Sequence, residues 1–275
     1  MLRFIILFSF VIVSRPVFPQ FTKTYTAKMN HSWFNCDSHK NLYVISDNKF
    51  QKFPPPYETG FNFDLPNNES PSYIDTNNPN QIVLFFRNSQ KVILLDSLLN
   101  QKMRPFFLDE IGLFEISIVF PAHDGGLWFY NYLKNSLTRL NKEFLPEIRG
   151  LSLNPYFQLP NYPNYVVSFN NRFYLNIPST GILVLGKNGE YQTAVQLTGL
   201  FDFQIDNNAI YYYSDHIIFC YNYRNLKTKK IYIPEEPDIL NAWFFENEIL
   251  ILTKDTIAVY QHNINPTDDQ AINNH

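Results

Sequence analysis

One copy of the pattern that decides the fold occupies residues 116–130 and reads ISIVFPAHDGGLWFY. An apolar run leads into a turn of Asp and Gly, and a second apolar run follows. The same order occurs six times, with the second runs starting at Leu42, Ile82, Leu127, Phe173, Ile210 and Ile249. Successive starts are 40, 45, 46, 37 and 39 residues apart. The chain therefore consists of six similar units of strand pattern.

This period predicts an all-β fold, a six-bladed β-propeller. A repeat of about 40 residues that contains only strand pattern is typical of propeller blades. The run Ile82–Phe86 is apolar at every position, as expected for a strand covered by a neighbouring blade on each side. Aromatic residues make up 17 % of the 275 residues, and aromatic side chains favour strands. We predict one propeller domain over residues 21–265.

A propeller blade has a fourth, outer strand, and the first five copies each have a candidate for it. The sixth copy has none before the polar end of the chain. The alternating segment Phe21–Lys28 belongs to no copy, so we predict that it supplies the missing strand and closes the ring. The five other candidates are residues 61–65, 104–108, 147–153, 193–198 and 230–233.

The first twenty residues differ from the rest of the chain. Arg3 precedes an apolar run of ten residues, 4–13, which Arg15 and Pro16 end. Such a run is too short to span a bilayer and is typical of a secretory signal peptide. The alternatives are an uncleaved anchor or a buried first strand. We predict a signal peptide at 1–20, a disordered polar tail at 266–275, and export to the periplasm or the cell surface with no transmembrane segment in the mature chain.

Charge and cysteine content exclude some functions. The net charge is −3 and the pI is about 6.1, whereas general nucleic-acid binding needs a concentrated basic face. Lys227, Lys229 and Lys230 form the one short basic cluster, which we expect on a loop or an outer strand. Cys36 and Cys220 fall in the first and fifth copies, too far apart around a six-membered ring for a disulfide, so we expect two separate buried thiols.

The motif HDGGLWFY at residues 123–130 is the sharpest local pattern. We expect Asp124 to accept backbone N–H groups in its turn and Trp128 to fill the interface between blades. The alternative is an acid–base pair of His123 and Asp124, but neighbouring residues on a strand point to opposite faces. No histidine has metal-ligand spacing and no nucleophile motif is present, so we predict no catalytic, cofactor-binding or metal-binding residue. A metal site assembled across blades remains open.

Two proline-rich inserts interrupt the period and are the candidate contact sites for a partner. One begins at residues 54–56, and the other occupies residues 155–163. Aromatic side chains between prolines on a loop can form an exposed contact patch. The alternative is that these rings pack over the faces of the propeller. The candidate contact residues are Pro55, Tyr57, Tyr156, Phe157 and Tyr162.

The six copies cover residues 31–262 and resemble six-bladed β-propellers. The turn at Asp124–Trp128 is similar to the turn of Asp-box propellers. A composition rich in Asn, Ile, Phe and Tyr, with a leader ending in Pro19 and Gln20, resembles exported proteins of Bacteroidota. Several such propellers accompany outer-membrane secretion or assembly machinery. The resemblance implies an exported, non-catalytic scaffold that binds a protein partner and needs no cofactor. The alternatives are a glycan-active enzyme or a small-ligand sensor that uses the mouth of the channel.

Overall fold

The computed structural model describes residues 21–66, 69–207 and 209–262. They form six antiparallel sheets of four strands each, so the predicted six-bladed β-propeller is confirmed. The predicted signal peptide at residues 1–20 and the predicted tail at residues 266–275 lie outside the described residues.

The first strand along the chain, β1 (Phe21–Lys28), belongs to the last blade, and each of the other blades consists of four consecutive strands. The first two blades contain β2 (Trp33–Cys36), β3 (Leu42–Ser46), β4 (Lys49–Phe53), β5 (Phe61–Asp64), β6 (Tyr73–Asp75), β7 (Ile82–Phe86), β8 (Lys91–Leu95) and β9 (Phe106–Phe107). The third and fourth contain β10 (Ile116–Pro121), β11 (Leu127–Asn131), β12 (Ser136–Leu140), β13 (Pro146–Ser152), β14 (Tyr165–Phe169), β15 (Arg172–Ile177), β16 (Gly181–Gly186) and β17 (Tyr191–Val195). The fifth contains β18 (Gln204–Asp206), β19 (Ala209–Ser214), β20 (Ile217–Asn222) and β21 (Lys227–Tyr232), and the sixth adds β22 (Ile239–Phe245), β23 (Glu248–Thr253) and β24 (Thr256–His262) to β1.

Ring closure by the N-terminal strand is confirmed. β1 pairs antiparallel with β24, from Phe21 opposite His262 to Lys28 opposite Thr256. Glu236, which lies before β22, forms an ion pair with Lys23 of β1 and accepts a hydrogen bond from the Tyr260 hydroxyl of β24. The closing strand is therefore held by side chains as well as by its backbone.

The predicted outer strands are all present, with shifted bounds. β5 and β13 match their candidates within one residue at each end, whereas β9 is only two residues long. β17 begins two residues earlier than predicted and β21 three residues earlier. The basic cluster Lys227, Lys229 and Lys230 lies exposed on β21, as predicted for an outer strand.

A five-residue turn recurs where two strands meet, and it explains how the chain turns with few glycines. Asp37, Asp96 and Asn141 each start one copy. In each copy the Oδ1 atom accepts the backbone N–H groups two and four residues later, at 2.8 to 3.1 Å. The fourth residue has a φ of 60° to 65°, and is Lys40, Leu99 or Phe144. The side-chain bonds offset the cost of placing non-glycine residues in the left-handed region.

The core lies between neighbouring blades. Trp128 is fully buried, stacks on Phe120 of its own blade and meets Phe173 of the fourth blade edge-on at 5.7 Å. The predicted interface role of Trp128 is therefore confirmed. The fifth blade is covered less well by its neighbours than the other blades are. Its strands β19 and β20 each have only one buried residue. Cys36 is buried and Cys220 is half-buried, and both thiols are free, so two separate thiols are confirmed.

Deletion of β1 tests whether this strand closes the ring of blades. The hydrophobic cluster between the first and sixth blades includes Tyr25 and Ala27, and Phe21 is buried against the sixth blade. A protein that starts at residue 29 loses these contacts and the backbone pairing of β1 with β24. We expect this loss to lower the free energy of unfolding by at least about 4 kcal/mol. Its Tm should fall by about 10 °C relative to a protein that starts at residue 21. Equal Tm values in circular dichroism would contradict closure by β1.

Candidate functional site

The two ends of the propeller carry different turns. Strands alternate in direction within each blade, so the turns that follow the innermost strands all emerge at one end of the central channel. We call this end the first face. The turns between the second and third strands emerge at the other end, the second face.

Asparagine side chains join the innermost strands and narrow the channel. The Asn35 amide donates to Thr76 Oγ1 of the second blade at 3.1 Å, and the Asn77 amide donates to the Val166 carbonyl of the fourth blade at 2.9 Å. Asn241 donates to Asp202 Oδ2 at 2.8 Å. Asn35 also accepts the backbone N–H of the next residue along its own strand, as Asn241 does. These side chains satisfy inner edges that pair with no further strand.

Two carboxyl groups lie beside this network: Asp75, which is buried, and Asp202, which is half-buried. Asp75 is 1 % exposed; its Oδ1 atom accepts the Asn77 N–H at 3.0 Å, and its Oδ2 atom has no hydrogen-bond partner among the described residues. Burial raises the pKa of Asp75 to about 7 and that of Asp202 to about 6. The Tyr73 hydroxyl is also buried, and no residue in the described ranges forms a hydrogen bond with it. Asp75 is closed off from solvent, so a substrate does not reach it. Its raised pKa therefore affects the pH dependence of the stability of the fold.

A pocket of 390 Å³ opens at the first face. Its residues come from the first, second, fourth, fifth and sixth blades, so it lies at the mouth of the channel. Tyr165 of β14 lines its wall, and Asp206 and Glu246 are exposed residues that also line it. The sequence repeat predicted the turns that surround the mouth, but it gave no signal for the pocket.

The 123–130 motif forms a structural corner. Asp124 Oδ1 accepts the Gly126 N–H at 3.2 Å, and Oδ2 binds the Arg139 guanidinium, which also contacts Glu147 at 3.0 Å. The predicted turn role of Asp124 is confirmed. His123 stacks on Phe173 at 5.0 Å, and burial is the main reason that its pKa is lowered. The Asp124 carboxylate is engaged by Gly126 and Arg139, which favours the structural interpretation over an acid–base pair.

The first proline-rich insert lies at the first face. Pro55 is exposed, whereas Tyr57 is buried and its hydroxyl donates to the Lys40 carbonyl at 3.0 Å. The Tyr57 ring also contacts Tyr25 of β1 at 5.8 Å. Of these two candidate contact residues, Pro55 is accessible and Tyr57 packs in the core between the first and sixth blades.

The second insert packs on the second face. Phe157 is buried, and its carbonyl accepts from the Asn135 amide at 3.0 Å. Tyr162 is exposed and meets Tyr132 at 6.4 Å, while Tyr156 is exposed and stacks on Tyr191 of the fourth blade at 4.5 Å. The structure therefore does not bring the five candidate residues together. They form two groups at opposite ends, and partner contact by the exposed ones stays a prediction.

A patch that the sequence did not indicate lies beside Tyr162. The Asn131 amide donates to the Phe114 carbonyl at 2.8 Å, and the Tyr132 N–H donates to the Glu115 carbonyl at 3.1 Å. These bonds hold Phe114 (59 % exposed) beside the turn that carries Tyr132 and Leu133 (58 % exposed), and the Tyr132 ring of that turn contacts Tyr162 (42 % exposed). We call the set Phe114, Tyr132, Leu133 and Tyr162 the Tyr132 patch. A groove of 360 Å³, lined in part by Phe114 and Leu133, adjoins it.

Within residues 21–66, 69–207 and 209–262, no three His, Cys, Asp or Glu side chains are grouped so that they could hold a metal ion. In the same ranges, no helix has the length and apolar character needed to cross a membrane.

Solved structures of very different proteins share this fold. Virginiamycin B lyase from Staphylococcus aureus is 14 % identical, with a TM-score of 0.52 over 83 % of this chain and 79 % of that one. The WD40 domain of Neurospora crassa Pan2 is 8 % identical, with a TM-score of 0.59 over 89 % of this chain and 96 % of that one. BBS1N, solved in complex with ARL6DN, is 11 % identical, with a TM-score of 0.52 over 89 % and 97 %. At these identities the likeness shows the propeller fold alone.

No family model and no curated protein matches the chain.

Replacing Asp75 tests the buried carboxyl group. A raised pKa means that the folded state holds the proton, so this stabilisation is complete below pH of about 4 and is lost as pH rises through about 7. Wild type should lose about 3 kcal/mol of unfolding free energy from this group between pH 5 and pH 8. Asp75→Asn keeps the acceptor for the Asn77 N–H and cannot ionise.

Urea unfolding at pH 5 and pH 8 provides the measurement. Asp75→Asn should be more stable than wild type at pH 8 and similar to it at pH 5. Asp202 titrates in the same direction, so a smaller slope should remain in the variant. A variant whose stability stays parallel to wild type across this range would show that Asp75 is ionised in the fold.

Proposed function

We propose that this chain is a non-catalytic binding module that holds a protein partner on its Tyr132 patch. The observation that carries the proposal is the exposure of Phe114, Leu133 and Tyr162 around one ring on the second face. Apolar side chains that cluster on a surface are typical of interaction sites, and large aromatic residues contribute most to binding. The propeller BBS1N, which shares this fold, was solved with a protein bound.

The groove beside the patch indicates the chemistry of the partner. Lys134 and Arg149 line it and are exposed. The one acid in its lining is Glu115, whose carboxylate already accepts a hydrogen bond from the Tyr132 hydroxyl. A segment with apolar side chains flanked by Asp or Glu would complement this surface.

The alternative of a glycan-active enzyme at the channel mouth needs acid, base and electrophilic groups in one pocket. The described residues that line the first-face pocket include three acids and Lys40, but no histidine or arginine. The similarity to virginiamycin B lyase shows only the fold at 14 % identity. We therefore favour binding over catalysis.

Site-specific photocrosslinking tests the partner surface. A photoreactive residue at position 114 or 133 should capture the same defined protein in native cells, while one at Leu226, which is 70 % exposed on the fifth blade, should not. The double substitution Phe114→Ser and Leu133→Ser should abolish capture from a probe at Tyr162, and Leu226→Ser should leave it unchanged. Equal capture at all positions, or none at the patch, would overturn the proposal.

We also propose that the protein acts outside the cytoplasm, in the periplasm or at the cell surface, as an accessory subunit of an outer-membrane complex. The support is the sequence of residues 1–20 and the resemblance to exported propellers. Cleavage near Gln20 would leave β1 intact, because Phe21 is its first residue.

Fractionation and N-terminal sequencing of the native protein test export. We expect the mature chain to begin at or shortly before Phe21 and to fractionate with the envelope. A cytoplasmic protein that retains Met1 would contradict export. The protein could be exported while the partner captured at the Tyr132 patch is not an outer-membrane component. That result would contradict the proposed outer-membrane complex and would still support the Tyr132 patch as the binding surface.

A further inference from the structure

The first-face pocket is acidic, and two of its three acids form no ion pair with a described residue. Asp37, Asp206 and Glu246 line it. Lys40 lines it too, but its ammonium group lies 2.5 Å from Glu248, outside the lining. Neither Asp206 nor Glu246 forms an ion pair with any described residue. Asp37 accepts hydrogen bonds from backbone N–H groups, the Asn41 amide and the Tyr43 hydroxyl, and its charge also interacts with the buried Lys52 ammonium.

The walls of the same pocket are aromatic. Phe169 and Phe245 are half-buried and line it from opposite sides of the fifth blade. Tyr211 and Phe244 also line it and stack on each other at 5.7 Å between the fifth and sixth blades. Aromatic faces attract cations through their quadrupole. A pocket lined by both carboxylates and such rings therefore favours a ligand that combines positive charge with apolar surface.

One buried polar atom at the pocket is also unsatisfied. The Ser168 hydroxyl belongs to a residue of the lining and has no hydrogen-bond partner among the described residues. A buried hydroxyl group without a partner is unfavourable, so a ligand with a donor or an acceptor within its reach would recover that cost.

From these three observations we propose that the first-face pocket binds a small organic cation bearing an ammonium or guanidinium group. An anion would meet the exposed carboxylates of Asp206 and Glu246, and a neutral sugar would leave their charge uncompensated. The volume of 390 Å³ is within the range of about 300–1,000 Å³ for small-molecule sites. The pocket lies at the opposite end from the Tyr132 patch, so the site does not depend on the protein partner proposed above.

Calorimetry on the full mature chain tests the ligand class. Agmatine, which carries both an ammonium and a guanidinium group, is the probe, with glucose as the neutral and glutarate as the anionic comparison. We expect agmatine to bind with a submillimolar Kd that weakens as salt rises, and glucose and glutarate to bind at least tenfold more weakly. No binding of agmatine, or tighter binding of glucose or glutarate, would overturn the proposal.

Paired variants locate the site. Asp206→Asn with Glu246→Gln should weaken agmatine binding by at least about tenfold, since two charge-assisted contacts are lost. The matched control, Glu58→Gln with Glu110→Gln, removes two exposed acids outside the lining and should bind as wild type does. Phe169→Leu, which keeps the apolar volume, should weaken binding about threefold to tenfold. If the control pair weakens agmatine binding as much as the pocket pair does, the cation is attracted by the overall negative charge and not by this pocket. If the pocket pair leaves agmatine binding unchanged, the ligand binds elsewhere.

Discussion

The fold depends on the pairing of β1 with β24, which converts a row of six sheets into a ring. Without it, β24 would be an open edge, and the cluster that joins the first and sixth blades would lack Tyr25 and Ala27. Each blade buries its sheet faces against two neighbours, so a missing neighbour exposes apolar faces. Closure is therefore the condition under which the repeat can bury its strands, and the Lys23–Glu236 contact reinforces it.

The ring also determines where binding can occur. Its middle is occupied by inter-blade hydrogen bonds from Asn35, Asn77 and Asn241, together with the buried Asp75. Ligands and partners are thus left with the two faces and the outer surface. The faces differ in chemistry: the first has an acidic, aromatic pocket, and the second has an apolar patch beside a basic groove. Such a difference allows one rigid scaffold to hold two unlike molecules at once.

Most of the architecture could be predicted from the sequence, because strand runs and turn residues repeat with the blade. The closing strand was predictable because the sixth copy lacked an outer strand. The interface role of Trp128 was predictable because a large ring in a short strand must be covered by a neighbouring blade. The Tyr132 patch could not be predicted, because Phe114 and Leu133 lie in connections that follow no period. The pocket needs five blades to meet at one point, which no local pattern encodes. The separation of the two inserts was implicit in strand order: one follows a third strand and the other a fourth, so they leave at opposite ends.

The position of the closing strand also has a mechanical consequence. Phe21 and His262 lie opposite each other at the same end of the antiparallel pair β1–β24. A force that pulls these two residues apart loads the hydrogen bonds of the pair one after another, as in a zipper, and does not shear them all together. When tension is applied between Phe21 and His262, the pair β1–β24 that closes the ring is therefore the weakest part of the propeller.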